Sequence, residues 1–239
     1  MAAQLLYQPL EKLHVVRPVD RVPFLKAACA NKTVLDLGAM DETAYQSKRG
    51  RGTWLHEELA SVAQRVIGVD NSAAVPPEGL RTGDRSMIHR GDVHALGAFL
   101  EQHPFDPDVI VAGELIEHLP NPLAFLQSIA AEPRLRGKLL LLTTPNATAL
   151  HNCLIALTRR ESTHPDHLCI LSFKTMNTLL LRSGAADWEL VPYLARFTEM
   201  KERHTGARRA LVDFCEGVVN VAEKRWPLLS FGLIARVTL

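Results

Sequence analysis

An α/β fold, with a mainly parallel sheet covered by helices on both faces, is predicted by three features of the sequence. Short apolar runs alternate with segments of helical period, the connections are short, and three of the runs lead into an aspartate. Residues 1–31 read as a helical preface. The first strand is Val34-Leu35-Asp36-Leu37, the second Val66-Ile67-Gly68-Val69, the third Met87-Ile88-His89, the fourth Val109-Ile110-Val111-Ala112, and the fifth covers residues 138–143. Each is rich enough in Val, Ile and Leu to be buried on both faces. Between them, residues 54–63, 93–100 and 122–131 carry apolar side chains at three- and four-residue intervals, as core-facing helices do. A helix over 174–182 stops at Ser183-Gly184, residues 188–197 form a strand, residues 208–223 a helix, and residues 228–239 the final strand.

A chain of 239 residues with 47% hydrophobic side chains can bury one large core, so a single domain over 1–239 is expected. It divides into the preface (1–31), a cofactor-binding core (32–146) and substrate-side helices with the last strands (147–239). The formal charge of +1 provides no global field for nucleic acid or anionic lipid. Cys29, Cys153, Cys169 and Cys215 are far apart and form no zinc or disulfide pattern. With no export signal and no membrane span, a cytoplasmic location is expected.

In an open parallel sheet, ligands bind beyond the carboxyl ends of the strands. Asp36 closes the first run, Asp70 follows the second, and Asp92 follows the third in Gly91-Asp92-Val93. A carboxylate after the second strand can accept from both ribose hydroxyls, and one after the third from an adenine amino group. The alternative is that each is a helix N-cap.

The segments "VLDLGA" (34–39), "VIGVDNS" (66–72), "HRGDV" (89–93), "PDVIVAGELIEHLPNP" (107–122), "GKLLLLTTPN" (137–146) and "HPDHLCILSFKTMNTLLLRSGA" (164–185) follow in an order that resembles the class I S-adenosylmethionine-dependent methyltransferases. The resemblance covers roughly 32–185. It implies a Rossmann-like three-layer αβα sandwich with a seven-stranded sheet whose last strand is antiparallel. It implies that Asp36, Gly38 and Ala39 lie near the methionine part of S-adenosyl-L-methionine, Asp70 and Asn71 at the ribose, and Asp92 and Val93 at the adenine. Ala112, Gly113 and Glu114 would line the methyl-transfer site.

The chain departs from that family in its first loop, where Ala39, Met40 and Asp41 stand in place of further glycines. Glycines in dinucleotide enzymes let the backbone approach a pyrophosphate. The methyl donor has no phosphate, so an acid-bearing turn is tolerable. Asp41 or Glu42 could meet its ammonium group, Gly50 and Gly52 could supply flexibility, and Lys48, Arg49 and Arg51 could engage an anionic acceptor. All of these also read as solvated loop. The same loop is the best support for a non-catalytic module that keeps the fold. A nicotinamide-dependent oxidoreductase is disfavoured by the missing glycine fingerprint.

Glu114, Glu117 and His118 would share a face if residues 114–118 turn helically, which suits a divalent metal or a proton relay. His167 is a distant fourth member. Metal is not the default reading; shaping of the acceptor pocket is. His118 and His167 are the candidate bases, because histidine titrates near neutral pH, and a base makes oxygen the preferred acceptor atom. Trp54 and His56 could floor the pocket but read more simply as core. Asn146 could donate to substrate or simply punctuate a turn, and Arg159-Arg160 and Arg208-Arg209 read most simply as solvated faces, with binding of a phosphate-bearing acceptor as the alternative. The expected activity is methyl transfer to a small molecule or glycan precursor.

Overall fold

The computed structural model describes residues 5–41 and 45–239, so Glu42 lies outside the described residues. One sheet of eight strands runs through the molecule: β1 (Thr33–Leu37), β2 (Arg65–Asp70), β3 (Leu80–Gly83), β4 (Ser86–Arg90), β5 (Val109–Gly113), β6 (Leu139–Pro145), β7 (Asp187–Tyr193) and β8 (Gly232–Thr238). Their order is β3-β4-β2-β1-β5-β6-β8-β7. Strands β4, β2, β1, β5 and β6 pair in parallel, while β8 runs antiparallel to both β6 and β7. The strand order reverses between β1 and β5, which opens a crevice at their carboxyl ends.

The fold is Rossmann-like as expected, with one strand more than the seven foreseen. The extra strand, β3, forms an antiparallel hairpin with β4, with a register shift between Arg81 and Gly83. Its sequence, Leu-Arg-Thr-Gly, has too little apolar character to register as a strand by periodicity.

The nine helices assigned among the described residues are α1 (Arg21–Cys29), α2 (Tyr45–Lys48), α3 (Leu55–Ala60), α4 (Leu96–Gln102), α5 (Pro122–Ala131), α6 (Leu150–Ala156), α7 (Phe173–Ser183), α8 (Thr198–Arg203) and α9 (Gly206–Arg225). The helical preface is thereby corrected to α1. Before it the backbone is extended: Val19 N–H donates to Pro192 O at 3.0 Å and Val19 O accepts from Leu194 N at 2.9 Å, pairing the segment with the β7 edge. Pro18, whose ring removes an N–H, favours that extended course.

Alternation along the strands builds the three layers. Leu35, Leu37, Ile67, Val69, Ile110, Leu140 and Leu142 point to one face, where α4, α5 and α7 cover them with Phe99, Phe125, Ile129, Met176 and Leu180. Val34, Val66, Val109, Val111 and Leu141 point to the other, under Leu25 and Cys29 of α1 and Leu59 of α3. Burial lifts the Cys29 thiol to about 12, so it stays protonated and apolar in the core. Helix α7 begins with a capping box between Ser172 and Thr175 and ends at Gly184 in the left-handed conformation, the stop that its sequence indicates.

Helix α9 turns an unusual face inward. Glu216 and Glu223 are buried and accept from the backbone N–H groups of Phe197 and Ala195, at 2.7 and 2.9 Å. Burial raises the Glu223 carboxyl to about 7 against the pull of the backbone donors Ala195 and Phe231. Its folded-state value lies above its ordinary 4.5, so the stability it contributes is full below about 4.5 and is lost as pH rises through about 7. The melting temperature should therefore fall across that window, and Glu223→Gln should flatten the decline. An unchanged pH profile in that variant would show that Glu223 does not set it.

Candidate active site

The site is built from the carboxyl tips of β1, β2, β4 and β5. At β1, the buried Asp36 is turned away from the tip and held beneath α3. Its Oδ2 lies 2.9 Å from His56 Nδ1, and His56 Nε2 lies 2.9 Å from Thr82 Oγ1, whose hydroxyl donates to Ser86 Oγ. Both Asp36 and His56 are under 3% exposed. Gly68, the β2 neighbour of Asp36, leaves room for the ring: a Cβ there would stand 2.8 Å from Ala39 Cβ and 3.2 Å from His56 Cε1. Asp36, expected near the donor's methionine part, here shares a buried hydrogen bond with His56 that ties β1 to α3. Thr82 and Ser86 extend it, and only the core reading of His56 pointed that way.

The bend after β1 is packed. Gly38 adopts φ +72°, a conformation that favours glycine, and Leu115 covers it. Ala39 and Met40 are buried with Trp54, Val75 and Ile88, and Trp54 Nε1 donates to Ala39 O at 2.9 Å. Ala39 can therefore offer a ligand little beyond backbone. Asp41 accepts from Lys48 Nζ at 2.6 Å, and Arg51 lies 3.9 Å from Glu202, so these loop charges are engaged within the chain.

At β2, half-buried Asp70 accepts from Met40 N and Ser72 N at 2.8 and 2.9 Å, and exposed Asn71 follows it. At β4, exposed Asp92 caps the next turn, accepting from His94 N at 2.8 Å, over a buried Val93. Each carboxylate oxygen has more than one lone-pair direction, so accepting a backbone N–H leaves acceptor capacity for a hydroxyl or amino group. Asp70 and Asp92 therefore fit an adenosyl group at two adjacent tips, although Asp92 also does the capping work of the alternative reading.

At β5, Ala112 is buried and Gly113 half-buried. Glu114 sits at φ +55°, uncommon for a residue with a side chain. Its carboxylate accepts from Thr143 Oγ1 and Tyr193 Oη, each at 2.9 Å, with Arg21 Nε at 3.8 Å. Burial and then the Glu114 charge raise the Tyr193 phenol well above its ordinary value, so it remains a donor.

The Glu114 carboxylate is thus engaged by Thr143 and Tyr193, and it is His167 that joins Glu117 and His118. Ligand atoms of Glu117, His118 and His167 lie within 4.8 Å of one another. The connection is made by backbone: Leu168 N donates to Glu117 O at 2.8 Å, which brings the segment 164–169 onto the turn Ile116–His118. His118 and His167 meet edge to face, ring centres 4.6 Å apart, and His167 Nε2 stands 4.0 Å from Glu117 Oε1. Glu117 is fully buried, and neither its oxygens nor His167 Nδ1 has a hydrogen-bond partner among the described residues. Burial, then the neighbouring Glu114 charge, lifts the Glu117 carboxyl to about 8. Burial, followed by His118 and His164, lowers His167. Unpartnered buried donors of this kind fit a divalent cation or a proton acceptor.

Asn146 lies elsewhere: its Nδ2 donates to Leu228 O and Ser230 O, both at 2.9 Å, clamping the end of β6 to the segment before β8. Replacing Asp70 by alanine is expected to weaken S-adenosylhomocysteine binding about 10- to 100-fold in calorimetry, the value of hydrogen bonds to a charged group. Unchanged affinity would remove Asp70 from the donor site.

The chain matches the model of a methyltransferase domain over residues 17–190. No curated protein is significantly similar to it in sequence. Among solved structures, the small RNA methyltransferase HEN1 superposes with a TM-score of 0.56 at 17% identity, over 96% of this chain and 27% of that one. The methyltransferase domain of a bacterial Hen1 gives 0.51 at 18% identity, over 92% and 94%. A methyltransferase from Archaeoglobus fulgidus gives 0.49 at 16%, over 90% and 94%. These identities establish shared fold alone, whereas the family match spans well over half of the chain. The chain belongs to the methyltransferase-domain family and is a class I S-adenosylmethionine-dependent methyltransferase.

Proposed function

We propose that the chain transfers a methyl group to a hydroxyl oxygen of a small molecule or glycan precursor. In this reading Asp70 and Asn71 hold the donor's ribose, and Asp92 and Val93 its adenine. Gly38, Gly113 and Glu114 border its reacting end, and Glu117, His118 and His167 receive the acceptor. The observation that carries the reading is the set of unpartnered donors on Glu117 and His167 beside the β5 tip.

A sulfonium is already an activated methyl donor, so the protein must align the acceptor oxygen and accept its proton. His167, kept neutral by burial and by its histidine neighbours, has a ring nitrogen available for that proton. His118 packs against the ring and fixes its orientation. The mixed carboxylate and imidazole set also suits a divalent ion such as Mn²⁺, which would lower the pKa of a bound hydroxyl. Metal is thus a stronger reading here than the spacing of Glu114, Glu117 and His118 alone suggests, with His167 in place of Glu114. A small acceptor is favoured over the small RNA of HEN1 because the charge of +1 supplies little attraction for a polyanion.

The test is formation of S-adenosylhomocysteine over a panel of hydroxyl-bearing metabolites and nucleotide sugars, with Mn²⁺ and with chelator. Product with a hydroxyl acceptor supports the reading; methylation confined to nitrogen or carbon acceptors overturns it.

A further inference from the structure

No helix among the described residues is long and apolar enough to cross a membrane, yet α9 carries its larger apolar side chains on the outside. Its inward face is set by Val212, Glu216, Val219 and Glu223. On the opposite side Leu211, Phe214, Val218 and Val221 repeat at three- and four-residue steps, each more than half exposed, and Trp226 at the end of the helix is 55% exposed. A helix of 20 residues is about 30 Å long, so this stripe is a substantial surface. Helix α6 packs beside α9. It adds Leu154 and Leu157, and Thr148 Oγ1, just before α6, donates to Leu228 O at 2.6 Å. Exposed apolar side chains are thus carried by both of these neighbouring helices.

The charges around this face are mostly of one sign. Arg208 lies near the start of α9, Lys224 and Arg225 end it, and Arg159 and Arg160 follow α6; all five are exposed. Glu161 is the opposing acid next to Arg160. Asp213 is held by Arg209 and Lys201, and Glu216 and Glu223 point inward. A second copy packed on the same face would set these cations against each other in either helix orientation, because a two-fold contact pairs a patch with itself. An anionic lipid surface matches both properties: acyl chains take the leucines, phenylalanine and valines, head groups take the arginines and lysine, and an indole favours the boundary. We propose that α9, with α6, docks this enzyme on an anionic membrane surface without spanning it.

The experiment is flotation of the full chain with vesicles of phosphatidylcholine alone or with phosphatidylglycerol added, together with quenching of tryptophan fluorescence by brominated lipid. Trp54 is buried and Trp188 half-buried, so quenching reports Trp226. Binding is expected with phosphatidylglycerol, weakening as salt is raised. Phe214→Asp with Val218→Asp, both exposed and therefore compatible with folding, should reduce partitioning about tenfold or more. Circular dichroism and melting confirm that the variant is folded. No flotation with anionic vesicles overturns the proposal, as does flotation that the variant leaves unchanged. So does a dimer that the variant dissociates without any vesicle binding, which would give the face to a second copy.

Discussion

Replacing His167 by alanine is expected to cut turnover about 100-fold, with S-adenosylhomocysteine affinity within about threefold of the parent. The two effects separate because the carboxylates proposed to hold the donor, Asp70 and Asp92, stand at the end of β2 and just after β4, whereas His167 is delivered to the β5 tip by the hydrogen bond from Leu168 N to Glu117 O. His167 is lost as proton acceptor in one role and as ligand in the other, so the fall in turnover is common to both. Glu117→Gln distinguishes them. If the cluster binds Mn²⁺, that variant should weaken the ion about 10- to 100-fold, as loss of a supporting carboxylate does at other metal sites. If the cluster is a base alone, no Mn²⁺ binds to either protein. Full turnover in His167→Ala would remove the histidine from the chemistry in both roles.

The largest loss of stability is expected from His56→Leu. Its removal leaves the Asp36 carboxylate buried without its hydrogen-bond partner, a change that costs about 3 kcal/mol or more for a charged group. For a chain of 239 residues this lowers the melting temperature by roughly 10 °C. Asp36→Leu combined with His56→Leu should recover much of the loss, because the uncompensated charge is gone and leucine suits the surrounding core. A small effect for the single variant, below about 1 kcal/mol, would place the pair among ordinary surface ion pairs. The double variant also tests the role of Asp36: retained S-adenosylhomocysteine binding fits a structural carboxylate, and its loss fits a donor ligand.

Much of the scaffold was legible because its signals are local. Runs such as Val109-Ile110-Val111-Ala112 declare a doubly buried strand, and Ser183-Gly184 declares a helix end, without reference to anything distant. The β3 hairpin was not legible, since Leu80–Gly83 forms through pairing with β4 and has no apolar run of its own. The extended course before α1 likewise depends on the β7 edge. Within the site, the three aspartates were found but not their separate directions. Asp36 belongs to the strand face under α3, set by the alternation that also buries Val34, and its partner His56 lies 20 residues away. Glu114 and Glu117 were grouped by helical spacing, yet the backbone at Glu114 is left-handed and sends its carboxylate to Thr143 and Tyr193. His167 replaces it through a contact across some 50 residues of chain, which spacing cannot supply.

The decisive measurement is a crystal structure with S-adenosylhomocysteine, grown with Mn²⁺ and recorded at the manganese edge. The ribose hydroxyls should lie on Asp70, the adenine by Asp92 and Val93, and the sulfur should face the cluster of Glu117, His118 and His167. A ligand bound away from the β2 and β4 tips, or a sulfur directed away from that cluster, would contradict the arrangement described.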